Sequence, residues 1–254
     1  MNHLRELLDA IQQHGMRFDP RIQKEDADRY LSWTQSAAEK APCFWMGDID
    51  AVSELKVAPD YLVRMPFPTC WFEGQVIAPT GKQAIIGMLA TETPGTSCIA
   101  EVLIFMRYER GWALMLGASF NLDGGVCVTG TDRGALSQAA YVMYALKAFL
   151  CAINCTNISR REHEPDAALQ KTRTKKGKAP IFSYWTLELN GRSEAGPILG
   201  GTHASPRVHL RRGHPRQYAP GKWTWVQAHA VGDKTKGMVH KDYSVGPALM
   251  AAAR

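Results

Sequence analysis

Residues 82–120 read KQAIIGMLATETPGTSCIAEVLIFMRYERGWALMLGASF, and this stretch decides the fold. Three runs rich in Ile, Leu, Met, Val and aromatic residues are separated by TETPGTS and YERG, which carry the Gly, Pro, Ser and charged residues that turns favour. Each run is too short for a core helix, and β-branched and aromatic residues suit a pleated surface. DYLVRMPFPTCWFEGQVIAP, residues 60–79, adds one more strand upstream. The simplest arrangement is a half-buried antiparallel sheet.

Helices flank this block. Leu4, Leu7, Leu8 and Ile11 recur at helical spacing over residues 2–13, and Gly15 ends the pattern. A second helix is expected over residues 20–40, with Asp19 as N-cap, Pro20 at the first helical position and Ile22, Tyr30, Leu31, Trp33 and Ala37 on its apolar face. Residues 135–153, ALSQAAYVMYALKAFLCAI, are apolar nearly all round and too long for a strand. That pattern predicts a buried helix; Gln138 and Lys147 argue against a membrane span. The expected fold class is therefore α+β: an antiparallel sheet with flanking helices, one long buried helix and a C-terminal β-hairpin. A single domain over residues 1–254 is expected, with a split near residue 158 as the alternative.

The chain is large enough for a full core, and 45% of its residues are apolar. Its six cysteines, at 43, 70, 98, 127, 151 and 155, have no CxxC pair and mostly sit in apolar runs, which reads as reduced thiols in the cytoplasm. MNHLRELLDAIQQHG lacks the basic start and apolar block of a signal peptide.

Charge is divided unevenly along the chain. Residues 1–158 hold 13 Lys and Arg against 17 Asp and Glu, a balance of −4, whereas residues 159–241 hold 16 against 6, a balance of +10. Such an excess is the footprint of a surface that meets phosphate; the plain alternative is a solvated basic face. Within this third, residues 159–180 read as a polar, basic loop, and KTRTKKGKAP lacks the first glycine and the Ser or Thr of a phosphate loop, leaving Lys175, Lys176 and Lys178 as a basic arm. GPILGG, residues 196–201, has no dinucleotide fingerprint around it, so no cofactor is expected.

GGTHASPRVHLRRGHPRQY, residues 200–218, concentrates three histidines and four arginines. In extended chain His203, Arg207, His209 and Arg211 point one way, and Arg212, His214, Arg216 and Tyr218 the other. Zinc is one reading of His203, His209 and His214, but their spacing matches no familiar pattern and the arginines would repel a dication. Metal-independent ribonuclease chemistry is another: His209 and His214 as base and acid, with Arg207, Arg211 and Arg212 gripping phosphate. Binding alone asks least. Arginines and lysines, Arg216 among them, would track the backbone while Tyr218, Trp223 and Trp225 stack on unpaired bases, which favours RNA over DNA; packing is the alternative role for both tryptophans. If residues 232–237 form a turn, Val231 opposes Met238, and His229, His240 and Asp242 join Trp223 and Trp225 on one face.

The motifs LQKTRTKKGKAPIFSYWTLEL, HASPRVHLRRGHPRQYAPGKWTWVQAHAVGD and GMVHKDYSV together resemble a family of uncharacterised proteins encoded by tailed phages and prophages. Its members share an R-x3-GK-x-P stretch, a run like H-x-SPR-x-H-x-RRGH-x-R, a W-V strand and a terminal K-D-Y. PFPTCWFEG, residues 66–74, is similar to a short Trp-Glu segment in the same proteins. The resemblance implies a phage gene product acting in the host cytoplasm and carries no chemistry of its own. Two partner classes stay open: nucleic acid, with RNA ahead, or an acidic host protein that the chain inhibits or redirects by electrostatic steering. No membrane partner is expected, and the sequence sets no oligomeric state.

Overall fold

The computed structural model describes residues 3–13, 16–18, 24–55, 57, 61–77, 81–108, 111–128, 133–189, 207–211, 214–226 and 229–238. In chain order the elements are α1 (His3–Gln12), β1 (Arg17–Phe18), α2 (Lys24–Ala38), β2 (Cys43–Asp48), α3 (Ile49–Ser53), β3 (Thr69–Ile77), β4 (Gln83–Glu92), β5 (Cys98–Tyr108), β6 (Gly111–Asn121) and β7 (Val126–Val128). Then come α4 (Arg133–Ile153), β8 (Ile158–His163), α5 (Ala167–Lys175), β9 (Tyr184–Leu189), β10 (Arg207–Arg211), β11 (His214–Ala219), β12 (Lys222–Val226), β13 (His229–Val231) and β14 (Asp233–Met238). The α+β class holds.

The three apolar runs that decide the fold are β4, β5 and β6, and with β3 they form an antiparallel meander. Around it closes a nine-stranded sheet in the order β1-β6-β5-β4-β3-β2-β9-β8, with β7 on β6. Parallel pairings of β2 with β3, β2 with β9 and β1 with β6 make the whole sheet mixed. The sheet runs across residue 158, since β8 and β9 extend it beside β2.

Both faces are covered. On one, Leu4, Leu7, Leu8 and Ile11 of α1 meet Trp71, Leu89, Phe105, Trp112 and Leu114, with Trp33 and Leu31 of α2 at the margin. On the other, Val142, Met143, Leu146, Phe149 and Leu150 of α4 pack on Phe44, Phe72, Ile86, Met88 and Ile104. Residues 136–153 are long and apolar enough to cross a membrane by composition, yet 56% of that window is buried inside the fold. One close approach fixes a residue type: a Cβ on Gly87 would lie 2.3 Å from the Trp71 ring, so only glycine leaves room for the indole against β4.

Several elements depart from the sequence reading. Asp19, Pro20 and Ile22 lie outside the described residues, and α2 is described from Lys24. The short α3 was not anticipated; Asp48 caps it, its Oδ1 accepting from the amides of Asp50 (2.8 Å) and Ala51 (3.3 Å). The loop expected over residues 159–180 is instead a strand and a helix. β8 pairs along its length with β9, and α5 starts where Asp166 accepts from the Leu169 amide at 2.9 Å. α5 ends in a Schellman motif, with Gly177 at φ +64°, the Lys178 amide on the Arg173 carbonyl and the Gly177 amide on the Thr174 carbonyl. All six cysteines are thiols, and burial pushes Cys70 and Cys155 up to about 12.

Candidate functional site

The basic third of the chain meets the main sheet through a hairpin. β11 and β12 pair antiparallel across the Pro220–Gly221 turn, His214 opposite Val226 and Pro215 opposite Trp225. Pro215 and Trp223 are buried and Trp225 is half-buried, whereas Arg216, Gln217 and Tyr218 are exposed, Tyr218 at 56%. Trp223 lies edge-on to Tyr61 at 6.3 Å and belongs to the core beside α4.

The residues that follow α4 hold the ribbon in place. Thr156 donates from its amide (2.8 Å) and its hydroxyl (3.1 Å) to the Trp223 carbonyl. Asn157 clasps Trp225 both ways, its Nδ2 donating to the carbonyl at 2.8 Å and its Oδ1 accepting from the amide at 2.6 Å. Two such bonds contribute about 1–3 kcal/mol together. Asn157→Ala is therefore expected to speed amide exchange at Trp225 by roughly tenfold or more while β4 and β5 keep their protection. Unchanged exchange at Trp225 would show that the clasp does not hold the hairpin.

Arg64 meets the turn of this ribbon, and an Arg160–Phe67 pair lies close in sequence to Arg64 and Asn157. Arg64 Nη2 lies 3.9 Å from the place a Cβ on Gly221 would take, so the hairpin turn abuts the exposed Arg64. Asn154 Nδ2 donates to the Arg64 carbonyl at 3.2 Å, tying that segment to the end of α4. On β8, the Arg160 guanidinium sits 5.7 Å from the centre of the Phe67 ring, itself 38% exposed. Arg216, Tyr218 and Lys222 complete the exposed set. Among the described residues no carboxylate forms an ion pair with Arg64, Arg160, Arg216 or Lys222.

The arm of lysines lies elsewhere. Arg173 of α5 donates to the Ala179 carbonyl at 2.9 Å and faces Asp9 of α1 at 3.9 Å, while Arg5 of α1 donates to the Pro180 carbonyl at 3.0 Å. α5 is thus docked on the α1 side of the sheet. Lys175, Lys176 and Lys178 are exposed at its C-terminal end, where positive charge also suits the helix dipole.

The sequence-predicted residues therefore separate. His214 and Arg216 share one strand face as alternation predicted, Tyr218 sits at a bulge between Gln217 and Ala219, and Arg216 and Tyr218 are open to solvent. Trp223, expected as a stacking platform, is a packing residue at 8% exposure, and Trp225 is half committed to the same core. The reason is that the ribbon lies against α4, which was invisible from the strand pattern alone. His209 is on β10, in a three-stranded sheet with β13 and β14, while His214 is on the separate β11–β12 ribbon.

The expected final hairpin is also corrected. Val231 pairs with His209 and His229 with Arg211, and Asp233–Met238 forms β14 beside β10, so Val231 does not oppose Met238 across a turn. A six-residue connection pins register weakly, and β10 offers an alternative edge. The side chains of Arg207, His209, Arg211 and His229, and residues His203, Arg212, His240 and Asp242 as a whole, lie outside the described residues. Among the described residues no three His, Cys, Asp or Glu side chains gather as metal ligands.

Sequence reasoning missed Arg64, Phe67 and Arg160. The first two sit in the acidic portion, about ninety residues from Arg160, and only the tertiary fold unites them. The chain matches no protein-family profile, no curated protein and no solved structure.

Proposed function

We propose that the protein binds nucleic acid, RNA in preference to DNA, through the surface around the β11–β12 hairpin, and that it does so as a phage-type protein in the cytoplasm. The observation that carries the reading is the seating of Arg64 against the turn of one anchored ribbon that also exposes Arg216, Tyr218 and Lys222, with the exposed Phe67 ring, three residues along from Arg64, beneath the Arg160 guanidinium. Guanidinium groups grip phosphate with paired hydrogen bonds, and exposed rings stack on unpaired bases. The +10 balance of residues 159–241 supports the same partner, because phosphate contacts release counterions.

The test is titration with single-stranded RNA, single-stranded DNA and duplexes over a range of salt. Changing Arg64, Arg160, Arg216 and Lys222 together to alanine should lower the salt slope by about 3–4 and weaken RNA binding by roughly a hundredfold or more. Failure of the unaltered protein to bind RNA at low salt, or an unchanged slope in the variant, overturns the reading. Nuclease-resistant capture of an acidic protein by the same surface would favour the host-factor role. RNA cleavage in EDTA, lost on His214→Ala, would add catalysis to binding.

A further inference from the structure

At the opposite end of β3, on the α1 side of the sheet, lies a cleft of about 520 Å³. His3, Gln75, Gln83 and Arg107 line it, together with the apolar Ile85 and the end of β5 at Tyr108. Its size falls within the range of about 300–1,000 Å³ typical of small-molecule sites, and an apolar surface with a few convergent polar groups is their usual construction.

The polar groups are ordered by their neighbours. Glu6 accepts from Arg107 Nε at 3.2 Å and lies 3.4 Å from His3 Nδ1, so the Arg107 charge is already matched. Gln83 Nε2 donates to Gln75 Oε1. That bond uses the Gln75 oxygen and one Gln83 donor, so the Gln75 NH2 and the Gln83 oxygen keep their hydrogen-bonding capacity. Behind His3 lies Glu73, on the same face of β3 as Gln75 and 2% exposed. Its carboxylate accepts from Trp71 Nε1 at 3.0 Å and from the His3 amide, which ties the start of α1, and the His3 ring with it, to the sheet.

We propose that this cleft is a binding site for a nucleobase, taken as a free nucleoside or nucleotide. The warrant is the match of chemistry. A base is planar and offers alternating donors and acceptors along its edge, which the paired glutamine amides complement. One of its faces suits the His3 ring. With Arg107 held by Glu6, the cleft is built for hydrogen bonding and stacking rather than for trapping an anion. The site stands apart from the RNA surface, which lies by the opposite end of β3, so either can fail alone.

Calorimetry and ligand-observed NMR with adenosine, guanosine, cytidine, uridine, their 5′-monophosphates, glucose and inorganic phosphate test it on the full chain. At least one nucleoside should bind with a Kd below about 1 mM. Its monophosphate should bind within about threefold of it, and the His3 ring signals should shift on binding. Gln75→Ala with Gln83→Ala should weaken binding about tenfold or more at unchanged Tm, Gln83→Ala alone serving if the pair fails to fold. Arg64→Ala with Arg216→Ala should leave it unchanged. No nucleoside binding up to several times 1 mM, equal binding of glucose or phosphate, or survival of binding in the glutamine variants overturns the proposal.

Discussion

Trp71→Ala is expected to abolish the cooperative unfolding transition or to lower its midpoint severely. The indole is fully buried, with ring centres 5.9 Å from Phe105 and 6.4 Å from Trp112, on the face that α1 covers. Truncating a buried tryptophan costs about 3–5 kcal/mol through lost transfer energy and the cavity left behind. The variant also removes the Nε1 donor held by Glu73, and a buried acceptor stripped of its donor costs about 1–3 kcal/mol more. The sum approaches the whole stability of an ordinary domain, about 5–15 kcal/mol. Denaturant titration followed by circular dichroism reads it. Trp71→Phe keeps a six-membered ring but loses the donor and about a third of the indole's ring atoms, so its midpoint should fall between those of Trp71→Ala and the unaltered protein. A midpoint equal to that of the unaltered protein would show that neither the bond to Glu73 nor the extra ring contributes.

Glu73→Gln should change how stability depends on pH. Burial raises the Glu73 pKa, and this effect outweighs the Trp71 bond, the His3 ring and the His3 amide, which lower it. A carboxyl raised in the folded state holds its proton where the unfolded chain, with a pKa near 4.3, has released it. Its contribution is therefore complete below the unfolded value and is lost as pH rises through the folded one. Glutamine keeps the shape and an acceptor for Trp71 but has no proton to lose. The Tm advantage of the variant should be small in acid and grow toward neutral and alkaline pH, by about 2–4 °C for each kcal/mol of burial cost relieved. An advantage that stays constant between pH 4 and 8 would assign the titration to another group.

How far the fold could be read from sequence depended on periodicity. α1, α4 and β4–β6 each carry an apolar pattern strong enough to name the element and its buried face, because core burial imposes that pattern. α5 and β8 carry none. β8 is an edge strand held by backbone pairing to β9, so SRREH needs no apolar side, and α5 buries no residue. Their signals were chemical: Asp166 three residues before the amide it caps, and Gly177 after a run ending in lysines. The site divides in the same way. That His214 and Arg216 share a face follows from strand alternation, whereas the burial of Trp223 and the arrival of Arg64 beside the ribbon depend on long-range packing. Glu73 stood in plain view within CWFEG, but nothing local distinguishes a strand glutamate facing water from one sealed beneath a helix.

The place of β9 sets an order of events during synthesis. β2 pairs with β3 on one side and with Tyr184–Trp185 of β9 on the other, so its second edge stays open until more than a hundred further residues have been made. Unpaired strand edges invite association between chains, and contacts this far apart in sequence form slowly. A nascent chain released before Tyr184 would thus present Cys43–Asp48, an apolar strand, to its neighbours. Truncation products of this protein should therefore aggregate in step with the loss of β9, because the late arrival of one short strand closes the open edge of β2.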